Sequence, residues 1–155
     1  MIGINGIAHT ILTVSNFAAA HRFYAPLMES FGLEKVFDNE NFVYWVGGRT
    51  ALGIQEAEAA YRSERFVQYR VGLHHLCFRA KERADIDRTA RLLEDMKATI
   101  VRGPMEGGWA PGYYYVLFED PDGIRLEICH VPGQGVLAED TEFNPGTDFQ
   151  TGRTP

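Results

Sequence analysis

Apolar and polar positions alternate along Gly6-Ile7-Ala8-His9-Thr10-Ile11-Leu12-Thr13-Val14, a two-residue period that predicts a half-buried strand. Ser15 or Asn16 can cap a helix next. In it Phe17, Ala20, Tyr24, Leu27 and Phe31 recur at spacings of three and four, and Gly32 supplies the stop. Pro26 falls inside this stripe, lacks a backbone N–H, and predicts a kink or short break. Strand-like runs follow at 33–37, 42–46 and 51–55, with Gly47-Gly48 reading as a hairpin turn. The same order then returns. Residues 72–80 alternate, and Ile86, Ala90, Leu93 and Met96 form a second helical stripe. Residues 99–101, 113–118 and 124–130 read as strands, the last two joined by a turn at Asp120-Pro121-Asp122-Gly123.

The two halves can be superposed as sequences. Gly6 falls on Gly72 and His9 on His75 at an offset of 66 residues; Gly48 falls on Asp122 at an offset of 74. The additional residues of the second half fit in a loop over 103–112. Each half is a strand, a helix and three strands, too small to bury its own core, so the two are expected to pack together. The fold class predicted is α+β, with module one at about 5–57 and module two at about 70–131. Residues 132–155 form a polar tail rich in Pro and Gly, including Asn144-Pro145-Gly146, whose composition reads as flexible.

Composition narrows the function class. The chain has 155 residues, the size of one domain, with ordinary apolar and charged fractions of 45% and 23%. Net charge is −6, which argues against binding a phosphate backbone or an anionic membrane surface. The N-terminal residues lack a basic stretch followed by an apolar one, and no apolar run approaches a membrane span, so a cytoplasmic location is expected. Two cysteines, Cys77 and Cys129, fit a reducing compartment and read as small core-fillers, with a redox or ligand role as the alternative.

Of the five histidines, His9 and His75 occupy one position in two copies of one unit. Strand parity places His75 with Cys77 and Arg79 on one face, and His74 with Leu76 and Phe78 on the other. Glu127 lies between Leu126 and Ile128 and must point away from the apolar face, where a carboxylate needs exposure or a partner. Two imidazoles and a carboxylate suit a divalent transition metal with open positions for water or substrate. Other candidates share the strand faces: Arg125 as an anion-binding fork, and Tyr113 and Tyr115 as hydroxyl donors. Trp109 sits in a glycine-rich segment that can act as a lid.

His9-Thr10-Ile11-Leu12-Thr13-Val14, Phe23-Tyr24, Gly72 with His75, and Asp120-Pro121-Asp122-Gly123-Ile124-Arg125-Leu126-Glu127 together resemble the vicinal oxygen chelate superfamily, over about residues 5–131. That superfamily includes glyoxalase I, bleomycin- and fosfomycin-resistance proteins, methylmalonyl-CoA epimerase and extradiol dioxygenases. The resemblance implies one glyoxalase-like domain over 1–131, built from paired βαβββ modules. These form a cupped mixed sheet with helices outside. It carries over His9, His75 and Glu127 as ligands of one divalent ion per site (Zn, Mn, Ni, Fe or Co). It also implies a small-molecule substrate and a homodimer. Gly53 stands where glyoxalase I has a glutamate and the epimerase a glutamine; Gln55, two residues on, can substitute. Ile11 and Leu117 replace the threonine and tyrosine of fosfomycin thiol transferases, and Leu117 also departs from the extradiol dioxygenase pattern. The nominal expectation is a glyoxalase-type lyase or isomerase, with Tyr115, Arg125 and Gln55 as catalytic candidates. The alternatives are an iron-dependent extradiol dioxygenase and a metal-free binding protein of the bleomycin-resistance type.

Overall fold

A computed structural model describes residues 2–139; Asn144-Pro145-Gly146 and most of the polar tail lie outside the described residues. The described residues divide into two compact units, one formed by 2–66 with 121–123, the other by 67–120 with 124–139. No helix among the described residues is long and apolar enough to cross a membrane.

Unit one contains β1 (Thr10–Val14), α1 (Phe17–Ser30), β2 (Glu34–Asp38), β3 (Phe42–Gly47) and β4 (Thr50–Glu56). Its sheet runs β1-β4-β3-β2, with β1 parallel to β4 and the remaining pairs antiparallel. Asn16 caps α1 by accepting the Ala19 N–H at 2.9 Å, and Gly32 ends it at φ +75°, a conformation open to glycine without steric cost. The break expected at Pro26 does not occur: α1 runs unbroken to Ser30. Tyr24, Leu27 and Met28 are fully buried on either side of Pro26, and that burial offsets the missing hydrogen bond. Val14, Val43, Trp45, Leu52 and Ile54 complete this apolar cluster.

In unit two, β5 (Leu76–Arg79), α2 (Arg83–Asp95), β6 (Thr99–Glu106), β7 (Tyr114–Glu119) and β8 (Arg125–His130) repeat the plan, with sheet order β5-β8-β7-β6. A capping box between Glu82 and Asp85 opens α2. Its buried stripe is Ile86, Ala90 and Leu93; Met96 is the C-cap and only half-buried. This helix packs on β6, β7 and β8 over Val116, Phe118 and Leu126. The additional residues of the second half do not all form a loop. Part of them lengthens β6 to eight residues, with irregular register between Ile100 and Met105.

The sheet register bears out the internal repeat. Ile11 pairs with Gly53 across β1–β4, and Cys77 with Glu127 across β5–β8. The two offsets read from the sequence carry the first pair onto the second. The fold is therefore two βαβββ modules, each with its own four-stranded mixed sheet.

Candidate metal centre

Glu127 anchors the site. It lies in β8 with 6% exposure, so its carboxylate needs partners. The Tyr113 hydroxyl donates to its Oε1, and His75 Nε2 lies 3.6 Å from its Oε2. The second separation is too long for a hydrogen bond. It suits two ligands of one ion, since donors at about 2.0–2.2 Å from a tetrahedral metal sit roughly 3.3–3.5 Å apart.

The histidine pair does not sit on opposite faces as parity predicts. β5 begins only at Leu76, so the alternation of a pleated strand does not extend to residues 74 and 75. Their Nδ1 atoms meet at 2.7 Å instead. The Gln68 side-chain amide N–H reaches His74 Nδ1 at 3.4 Å, and an amide nitrogen can only donate. One proton is shared between the two Nδ1 atoms, and when His75 carries it the lone pair facing Glu127 is on Nε2. Burial, with the adjacent His74 as a second cause, holds His75 below the usual histidine range. A neutral imidazole is what metal ligation requires.

Two thiols share this face. Cys77 is the register partner of Glu127, and Cys129 follows it by two residues in β8. The Cys77 and Cys129 sulfurs and a Glu127 oxygen all lie within 4.8 Å of one another. The Cys77 thiol donates to the Phe78 carbonyl at 3.6 Å. The adjoining Cys129 thiol, then burial, pushes Cys77 up, and Cys77 in turn draws Cys129 down, so Cys77 keeps its proton more firmly. Burial first, then the charges of Cys77 and Glu127, pushes the Tyr113 phenol up and keeps it a donor.

The remaining candidates have neighbours of their own. Tyr115 is 3% exposed, its ring 5.6 Å from that of Tyr113. Arg125 meets Glu119 across the β7–β8 ladder at 3.0 Å. His9 and Gln55 belong to unit one. His9 is exposed just ahead of β1, edge-on to Tyr44, and Gln55 is half-buried on β4. At Gly53 a Cβ would meet Tyr44 Cδ2 at 3.0 Å, Phe42 Cε2 at 3.2 Å and Ile11 Cγ1 at 3.3 Å. The position corresponding to Glu127 is thus filled by neighbouring side chains. Sequence reasoning weighed Tyr113 beside Tyr115, because both have the same parity. Tyr113 precedes β7, outside its ladder, and it is the tyrosine that reaches Glu127. The Gln68–His74 support was missed, since it depends on a segment without periodicity.

Comparison with known proteins agrees with this plan. Residues 6–128 match the family described as the Glyoxalase/Bleomycin resistance protein/Dioxygenase superfamily. The protein YqjT of Bacillus subtilis (strain 168), described as uncharacterized, is 29% identical over 123 residues, spanning 77% of this chain and 94% of its own. A provisionally named glyoxalase from Bacillus halodurans has a structure similar to this one at TM-score 0.74 and 27% identity, covering 81% of this chain and 96% of that one. A lactoylglutathione lyase from Agrobacterium tumefaciens shares the fold at TM-score 0.58 and 24% identity, covering 82% and 94%. Repeated modules in one register, a buried glutamate facing a histidine, and a family match over most of the chain lead to one conclusion: the chain belongs to the glyoxalase/bleomycin resistance/dioxygenase superfamily.

Proposed function

We propose that the chain is a divalent-metal-dependent enzyme acting on a small oxygen-chelating substrate, nominally a lyase or isomerase of the glyoxalase type. The observation that carries this reading is the pair His75 Nε2 and Glu127 Oε2 at 3.6 Å, with Tyr113 holding the other carboxylate oxygen. Family membership and the resemblance to the Bacillus halodurans protein support it. His9, which the repeat places in register with His75, is the proposed third ligand. When bound, the ion would supply a positive charge that polarises a substrate carbonyl.

The chain's own residues supply the rest. His75 offers a neutral donor whose orientation is set by His74. Glu127 supplies the negative charge, and Tyr113 keeps its proton and fixes the carboxylate. Arg125 spends one side of its guanidinium fork on Glu119 and keeps further N–H donors for a substrate carboxylate or phosphate. Gly53 supplies no base, so proton movement falls to a water held by Gln55 or to the hydroxyl of Tyr115, the proposed catalytic groups.

Elemental analysis of untagged protein tests the reading, alongside His9→Ala, His75→Ala and Glu127→Ala. A divalent metal near one per chain, lost in each variant, is expected. Full metal retention in the His75 or Glu127 variant would overturn the ligand set. Turnover of 2-oxoaldehyde–thiol adducts, abolished by chelation, would support the lyase or isomerase. Ring cleavage of catechols with ferrous iron alone would replace it with the dioxygenase. Stoichiometric ligand binding without metal uptake would replace it with a binding protein.

A further inference from the structure

The centre described above contains more donor atoms than a histidine–carboxylate site uses. Cys77 and Cys129 lie on neighbouring parallel strands, on the face that also carries Glu127. Core-filling thiols usually sit among apolar side chains. These two border a buried carboxylate and a phenol hydroxyl. Their sulfurs and the Glu127 oxygen fall within 4.8 Å of one another. Zinc–sulfur bonds of about 2.3 Å and zinc–oxygen bonds of about 2.0–2.2 Å put tetrahedral ligands roughly 3.5–3.8 Å apart. Contraction of about 1 Å, within side-chain rotation, would close the three around an ion. Cys77 is exposed, which gives an ion a path of entry.

We propose that Cys77 and Cys129 are thiolate ligands that join Glu127 in a sulfur-rich site selective for soft or borderline cations such as Zn2+, Co2+ and Cd2+. This rests on the metal-centre reading through the shared ligand Glu127, and extends it by naming the class of metal. Each ion bound displaces two thiol protons to solvent, and no electron is transferred. Thiolates favour zinc and its softer relatives over Mg2+ and Mn2+, which take oxygen donors.

The test is a Co2+ titration of the metal-free full chain under anaerobic, reducing conditions. A near-ultraviolet sulfur-to-cobalt charge-transfer band saturating at one Co2+ per chain is expected. Cys77→Ser and Cys129→Ser should each weaken the band and lower Co2+ affinity at least about tenfold, and the double variant should abolish the band. Co2+ bound with visible bands alone, unchanged in the cysteine variants, overturns the thiolate ligation and leaves the His75–Glu127 reading intact. Failure to bind Co2+, Zn2+ or Mn2+ overturns both. A variant-free check is alkylation by iodoacetamide read by mass spectrometry. Zn2+ should protect both thiols together; equal alkylation with and without saturating Zn2+ overturns the proposal.

Discussion

At the scale of single residues, the site depends on which oxygen of Glu127 is occupied. Tyr113 donates to one and leaves the other facing His75. Removing that hydroxyl leaves a buried carboxylate short of a donor, which costs about 1–3 kcal/mol. Tyr113→Phe is therefore expected to lower stability by that amount in urea unfolding and to weaken metal binding, while Tyr115→Phe leaves the Glu127 contact in place. Gly53 poses the reverse problem. Tyr44, Phe42 and Ile11 surround the space a side chain would take. Gly53→Glu, which would install the carboxylate common elsewhere in the family, is expected to overpack the sheet and cost about 1–3 kcal/mol. Adding Tyr44→Ala should recover part of that loss, so the double-mutant cycle shows coupling. The carbon count around Gly53 is invisible in the sequence, since Tyr44 and Ile11 come to it from two different strands.

The elements show what periodicity can and cannot decide. Apolar spacing placed α1 and its buried Phe17, Ala20, Tyr24 and Leu27, and Asn16 and Gly32 its ends; Phe31 is the half-buried C-cap, and Phe23 and Met28 widen the buried face beyond the expected stripe. It misjudged Pro26, because the local loss of one hydrogen bond is outweighed by the burial of Tyr24, Leu27 and Met28. Pro26→Ala restores that bond and is expected to raise stability by about 1–3 kcal/mol, read as a higher midpoint of thermal unfolding. The contact between α1 and β2 adds a pH-dependent term. Asp38, at the end of β2, meets Lys35 at 2.6 Å and His21 of α1 at 3.2 Å. The hydrogen bond from Lys35, assisted by His21, holds its carboxyl below the usual value. A depressed folded pKa means the stabilisation is complete above the unfolded value near 3.8 and fades as pH falls through the folded value. The three side chains are each about a third exposed, at 28–43%, so solvent screens the group and the effect is below about 1 kcal/mol. Asp38→Asn should lower stability slightly at neutral pH, and the difference from wild type should vanish in strong acid, as followed by denaturation across that range.

For the whole molecule, the proposed metal site would link ion binding to folding. An ion that binds only the folded chain stabilises it by about 2.7 kcal/mol at one hundred times its Kd. Thermal unfolding should therefore shift upward with added Zn2+ and fall back with a chelator, and the shift should disappear in Glu127→Ala. A net charge of −6 adds a general attraction for cations, which a variant lacking only Glu127 would retain. Loss of the shift in that variant separates the site from the background.

The sequence by itself determined the two modules, the order of their elements and the correspondence of Ile11 with Cys77 and of Gly53 with Glu127. These follow from periodicity and from a repeat, both of which are written in neighbouring residues. Only the tertiary structure decided the chemistry at Glu127. It chose Tyr113 over Tyr115, set His74 against His75, and brought Cys77 and Cys129 to the carboxylate. Parity assigns a side chain to a face only within a regular strand. Where a chain leaves the strand, as at His74 and Tyr113, the direction of a side chain is set by partners distant in sequence.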